Sequence, residues 1–315
     1  MRKAARLSTL LLVPVLALGA EWRQEPAERL ARPVRGAVST GGRVLLWGEN
    51  TPVPGSFQSG GCAGDVDGDG RADLILHERS GSGPGERVWL RAPEWKRERI
   101  DTDASFEDCL WTSLFGHAGV LAIHRQIQLR FHTRGPDGKW TYREIYSIYT
   151  PSAQGGLARE DVDGDGREDI YCGNYWLRSP DAPELHWRLF AINDWWEGER
   201  SAMLRIAPAG PGRVAAVERE AAPARAAIFQ RPSDPRLFWK AERLTVQPPL
   251  RRLQGLAVDG ETVAVAENAG PGSRVVVFVN GAAREIGRTN GLFWLSMDRG
   301  VLAGVGPREL IRWRK

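Results

Sequence analysis

Two stretches of nine residues hold most of the chemistry that this chain's residue types suggest. Asp65–Asp73 reads DVDGDGRAD and, 96 residues further on, Asp161–Asp169 reads DVDGDGRED. Asp65, Asp67, Asp69 and Asp73 stand at positions 1, 3, 5 and 9 of the first stretch, and Asp161, Asp163, Asp165 and Asp169 at the same positions of the second. Four carboxylates so close together repel one another unless a cation sits among them. Calcium suits an all-oxygen set of this kind, because it takes roughly six to eight oxygen ligands in flexible geometry. The main-chain carbonyls of Arg71 and Arg167, at position 7, would each add a ligand. Gly68 and Gly70, like Gly164 and Gly166, let the backbone wrap tightly. Magnesium is less apt, since it holds to octahedral geometry and keeps its waters. Two calcium sites are therefore expected; the alternative is a pair of solvated acidic turns. An EF-hand is excluded, because its position-12 glutamate is replaced by Leu76 and Cys172. The Asp at position 9 instead runs straight into an apolar stretch, so each loop joins two strands.

The elements that must position these loops recur along the whole chain. A short apolar strand core appears seven times, at Val44–Trp47, Leu74–Leu76, Leu121–Ile123, Ile170–Cys172, Val214–Val217, Val263–Ala266 and Val301–Ala303, with a spacing mostly in the forties. A Trp-led strand recurs at Trp95, Trp140, Trp187 and Trp239, and a third strand lies between the two signals, as in Arg87–Leu90. Four short strands per unit of about forty residues mark a β-propeller blade. No stretch after the N-terminal leader shows sustained helical periodicity. The expected fold is all-β: a single β-propeller domain over residues 21–315, of seven four-stranded blades, with six as the alternative. The last copy holds only about three strands, so a Trp-led N-terminal strand over residues 21–30 is expected to complete it and close the ring, which hides open sheet edges. The periodic Trp residues are expected to pack between blades. Trp195 and Trp196 fall off the period, in a loop, and are candidate ligand-binding aromatics.

GGCAGDVDGDGRADLIL (Gly60–Leu76) and GGLAREDVDGDGREDIYCGNYW (Gly155–Trp176) resemble FG-GAP/VCBS-type repeats, the calcium-binding blades also found in integrin alpha-subunit propellers. The resemblance implies calcium ligands at the Asp positions named above. It covers two blades strongly and the others only through the strand core. Where the family pattern has Gly-Ala-Pro near the blade, this chain has His77-Glu-Arg and Gly173-Asn-Tyr, which leaves the calcium reading intact and weakens adhesion by analogy with integrins.

The first 20 residues have a basic end (Arg2, Lys3, Arg6), a short apolar run from Leu10 to Leu18 and small residues to Ala20. This is the pattern of a secretory signal peptide, with a retained membrane anchor as the alternative. The apolar run is too short to span a bilayer, and no later run is longer. The expected localisation is secreted or periplasmic, with no membrane span after cleavage. Of the formal charge of +4, three positive charges belong to the leader, so the remainder is near +1 and offers no bulk attraction for nucleic acid. Cys62 and Cys109 lie one blade period apart and are expected to form a disulfide in an oxidising compartment; Cys172 is left over as a buried thiol. The five His are scattered without zinc-ligand spacing, and neither GxSxG nor a P-loop is present, so no catalytic residue is assigned. The reading is a calcium-binding propeller acting as a binding module for an extracellular or periplasmic protein or glycan, through the face opposite the loops or the central channel. A calcium-dependent polysaccharide-active enzyme and a structural assembly protein are the alternatives.

Overall fold

The recurring apolar cores become the second strands of successive antiparallel meanders. The computed structural model describes residues 21–315 apart from 41–42, 49–50, 52, 54, 80–84, 105–107, 126–127, 149–155, 194–202 and 219–223. Two short strands, β1 (Arg23–Gln24) and β2 (Glu28–Arg29), precede a hairpin of β3 (Gly36–Thr40) and β4 (Arg43–Trp47). Blade 1 comprises β5 (Phe57–Gly64), β6 (Asp73–Glu78), β7 (Gly85–Arg91) and β8 (Lys96–Ala104). Blade 2 comprises β9 (Cys109–Leu114), β10 (His117–His124), β11 (Gln128–Arg134) and β12 (Trp140–Ser147). Blade 3 comprises β13 (Leu157–Glu160), β14 (Asp169–Cys172), β15 (Tyr175–Arg178) and β16 (Arg188–Ala191). Blade 4 comprises β17 (Met203–Pro208), β18 (Arg213–Glu218), β19 (Ala226–Gln230) and β20 (Lys240–Arg243). Blade 5 comprises β21 (Leu253–Asp259), β22 (Thr262–Glu267), β23 (Ser273–Val279) and β24 (Ala282–Thr289). Blade 6 comprises β25 (Trp294–Asp298), β26 (Val301–Gly306) and β27 (Glu309–Arg314), with β1 and β2 paired on β27. No helix among the described residues is long and apolar enough to cross a membrane.

First strands face first strands around the ring: β5 meets β9, β9 meets β13, and so on to β25. Second and third strands are covered on both faces by neighbouring blades, so they read as continuous apolar runs; β22 (TVAVAE) is buried throughout. The core is accordingly split into clusters between adjacent sheets. Leu121, Leu129 and Ile145 of blade 2 pack on Leu157, Ile170 and Leu177 of blade 3, and Val263 and Val276 of blade 5 on Val217 and Ile228 of blade 4. The periodic Trp residues belong to these clusters: Trp187 and Trp239 are buried, while Trp95 and Trp140 are partly buried against them. Trp195 and Trp196 lie outside the described residues.

The propeller has six blades, not seven. The seventh apolar core, Val44–Trp47, forms only the β3–β4 hairpin, lodged between β25 and β5. Only residues 48–56 separate that hairpin from blade 1, too few for two further strands. A single Trp-led strand over residues 21–30 that closes the ring is likewise not formed. Only Arg23–Gln24 and Glu28–Arg29 pair with β27, on either side of Pro26, which has no N–H to give to a ladder. The contacts that link blade 6 to blade 1 run through β3.

In an antiparallel meander the first and third connections of each sheet fall at one end, and the second connection falls at the other. Both Asp-rich stretches are first connections, β5–β6 and β13–β14, and share a face of the ring with the β15–β16 and β19–β20 turns. Between them, blade 2 makes the same connection with two residues, Phe115 and Gly116, both at positive φ, a tight hairpin turn of the primed type.

Candidate metal centres

Each Asp-rich loop folds around its own carboxylates. In the second, Asp161 accepts hydrogen bonds from the N–H groups of Gly164 (2.8 Å), Asp165 (3.1 Å) and Gly166 (2.9 Å). In the first, Asp65 accepts from Asp69 (3.0 Å) and Gly70 (2.9 Å). The turn needs left-handed backbone at Gly68 and Gly70 (φ 77° and 83°) and at Gly164 and Gly166 (φ 76° and 86°), where a Cβ would meet no steric obstacle. Conformation, not space, therefore requires glycine there. The position-7 N–H groups of Arg71 and Arg167 turn inward to Asp69 (2.8 Å) and Asp165 (3.0 Å).

The result is a convergence of carboxylate oxygens. One oxygen each from Asp65, Asp67 and Asp69 lie within 4.8 Å of one another, as do those from Asp161, Asp163 and Asp169. Asp73 and Asp169, the position-9 residues, are fully buried at the start of the second strand. Asp169 accepts from Val162 N–H (2.9 Å) and Ser179 N–H (2.7 Å); Asp73 accepts from Val66 N–H (3.2 Å) and Ala92 N–H (2.8 Å). Each position-9 carboxylate thus ties the loop to the end of the third strand. Burial pushes the Asp169 carboxyl up to about 6, with Asp163 and Asp165 adding to the rise and the two N–H donors opposing it. Burial raises Asp73 in the same sense. A bound divalent cation acts in the opposite direction on such groups. The donor set is all oxygen and crowded with negative charge, as a hard cation requires.

Sequence reasoning missed two residues of this arrangement. Arg91, the last residue of β7, pairs with Asp67 at 2.5 Å, and Arg178, the last residue of β15, pairs with Asp163 and, at 2.8 Å, with Asp165. The signal for them was present as a second repeat, Trp89-Leu-Arg-Ala-Pro93 and Trp176-Leu-Arg-Ser-Pro180. The arginine supplies a counter-charge to position 3, and the residue after it supplies the N–H that holds position 9. Arg167 also pairs with Asp165 and with Asp181 (2.5 Å). Arg231, from blade 4, donates to the carbonyls of Asp161 (3.2 Å) and Val162 (2.6 Å), so the second loop is also anchored across a blade junction.

Cys62 and Cys109 form a disulfide between the first strands of blades 1 and 2, with Cα atoms 5.5 Å apart. Cys172 is a buried free thiol, and burial pushes it up to about 12, well away from thiolate chemistry. The same blade 1–blade 2 junction holds a buried charged cluster. Asp101 of β8 meets His124 (3.2 Å), Arg130 (3.1 Å) and His132 (3.6 Å), and Arg87 donates to the Ile123 carbonyl at 3.1 Å. Burial, with Arg87 and Arg130 nearby, drives His132 down to about 2, and burial lowers His124 too. These imidazoles are neutral near pH 7 and lack the poise of a general acid or base.

No family model and no curated protein matches the chain. Solved structures do. The β-propeller domain of Cps50 (Swd1) from Myceliophteria thermophila superposes with a TM-score of 0.57 at 11% identity, covering 93% of this chain and 99% of that one. A candidate 6-phosphogluconolactonase from Bacteroides uniformis superposes with a TM-score of 0.51 at 11% identity, covering 84% of this chain and 81% of that one. The likeness is one of fold. At such identities it carries no site or substrate across.

Proposed function

We propose that this chain is a calcium-binding propeller of the FG-GAP/VCBS type that works outside the cytosol as a binding module for a protein or glycan. The observation that supports it is the paired cage. Two loops with the same Asp spacing, in non-adjacent blades, share left-handed glycines at the same two positions and a buried position-9 anchor. Loops that were only solvated turns would gain nothing from gathering like charges; the two-residue turn of blade 2 makes the same connection without them. In this reading Asp65, Asp67, Asp69 and Asp73, and Asp161, Asp163, Asp165 and Asp169, with the carbonyls of Arg71 and Arg167, hold one Ca2+ each. The ion supplies the positive charge that the loop lacks and pins the first connection to the third strand. The leader at residues 1–20 and the Cys62–Cys109 disulfide fit a secreted or periplasmic location.

The test is calorimetric titration of chelator-treated protein with CaCl2, alongside Asp65→Asn and Asp161→Asn. Two binding events are expected, with each variant losing one. Absence of binding heat together with a melting curve unmoved by calcium would refute the reading.

A further inference from the structure

The face that carries the Asp-rich loops also carries two neighbouring cavities. One, of about 880 Å³, lies over the outer strand of blade 3, bounded by Tyr146 of blade 2 and by Ser233–Arg236 of blade 4. The other, of about 270 Å³, lies beside the β15–β16 turn, where Leu185 and His186 line it. Arg178 and Arg188 line both, so two guanidiniums stand at the partition between the cavities.

The walls combine two kinds of surface. Tyr146 and Phe190 are half-buried, and Phe190 stacks on Trp176 with ring centroids 4.8 Å apart. Trp187, 3% exposed, also lines the larger cavity, and its indole N–H has no partner among the described residues. Arg236 is held by Asp234 through two bonds of 2.8 Å, and Arg178 by Asp163 and Asp165, whereas Arg188 is exposed and makes no ion pair among the described residues. Three arginines face two aspartates in the larger cavity. Asp181, which pairs with Arg167, lines the smaller cavity. An aromatic-walled cavity bounded by two guanidiniums, one of them without an ion pair among the described residues, fits rings that carry carboxylates, linked in a chain.

We propose that the two cavities form one site for an acidic oligosaccharide, whose sugar rings occupy the cavities and whose carboxylates are held by Arg178 and Arg188, and that a cation in the Asp161–Asp169 loop strengthens this binding. The second half rests on the calcium reading. Asp163 is common to the loop cage and the cavity wall. A cation that takes up its charge, and that of Asp165, releases Arg178 for the ligand and raises the positive potential of the site. An acidic peptide is disfavoured because the guanidiniums stand between two hollows, the larger walled by aromatic rings, not along a flat strip. The ligand face is then the face of the loops, not the opposite one.

A β-1,4-linked glucuronate trimer is the probe, with cellotriose as its uncharged counterpart and triglutamate as the peptide control, each titrated with calcium and with chelator. The glucuronate trimer is expected to bind, about tenfold more weakly in Arg188→Gln, the loss of one charge-assisted pair. Calcium affinity in that variant should be unchanged. Chelation, or Asp161→Asn, which leaves every cavity residue in place, is expected to weaken binding severalfold. Cellotriose binding as tightly, triglutamate binding more tightly, or indifference to Arg188→Gln overturns the site. Trimer binding that is the same with and without calcium overturns the coupling. Titration with calcium alone then shows whether the calcium reading has failed as well.

Discussion

Asp169→Asn separates the structural work of a position-9 carboxylate from its proposed role as a metal ligand. Its two oxygens each accept one buried main-chain N–H, from Val162 and from Ser179. An asparagine offers one acceptor and turns a donor toward the other N–H, leaving that group buried and unsatisfied. The cost is about 1–3 kcal/mol, and it is present without any metal. Calcium adds a separate amount. At a free concentration about a hundredfold above Kd, each occupied site stabilises the fold by about 2.7 kcal/mol. The loops lie in non-adjacent blades, so their contributions should add. The wild-type protein should therefore gain about 5 kcal/mol from calcium and Asp169→Asn about half of that. Urea denaturation in chelator and in calcium measures both terms. Two results refute the reasoning. One is a variant as stable as wild type in chelator, which removes the anchoring role. The other is a variant that gains as much from calcium as wild type, which removes Asp169 from the metal site.

Arg91→Ala removes the guanidinium paired with Asp67, so calcium affinity at the first loop should rise by about tenfold, read by calorimetry; unchanged or weaker binding contradicts a competing counter-charge. In blade 5, Glu267 is fully buried and accepts from Arg251 N–H and from Arg274, whose remaining donors reach the carbonyls of Pro248 and Pro249. Glu267→Gln should cost about 3–5 kcal/mol in urea denaturation, because it strands a buried guanidinium. Burial tends to raise the Glu267 carboxyl, but the bonds from Arg274 and Arg251 outweigh it and hold it below its ordinary value of 4.5. Its stabilisation is therefore complete above pH 4.5 and lost as pH falls through the lower, folded-state value, a loss absent from the Gln variant. The disulfide closes a loop of 47 residues, so Cys62→Ala with Cys109→Ala should lower stability by about 4 kcal/mol, with intact mass before and after reduction confirming the bond.

The repeat of the apolar cores was enough to read an all-β propeller, because a strand covered on both faces must be apolar along its whole length, and β22 shows that pattern plainly. The Asp spacing, with glycine at the two left-handed positions, was enough to place the loops between strands. The number of blades was not legible in the same way. A core such as Val44–Trp47 looks alike in a hairpin and in a full blade, and the difference lies in how much chain follows it. The N-terminal strand is broken for a local reason visible in the sequence, the missing N–H of Pro26. Arg91 and Arg178 sit outside the Asp-rich stretches, and their partners become evident only when β7 and β15 are paired beside β6 and β14.

What the sequence determined alone is local and periodic: strands, tight glycine turns, and two clusters of carboxylates too close together in the chain to be far apart in space. What the tertiary structure decided is everything that joins separate blades. Tyr146, Arg178, Arg188 and Arg236 come from three different sheets and meet at one cavity only because the ring stacks those sheets side by side. Chain proximity can gather charges into a loop, but a site built across blades depends on packing, which no single stretch of sequence contains.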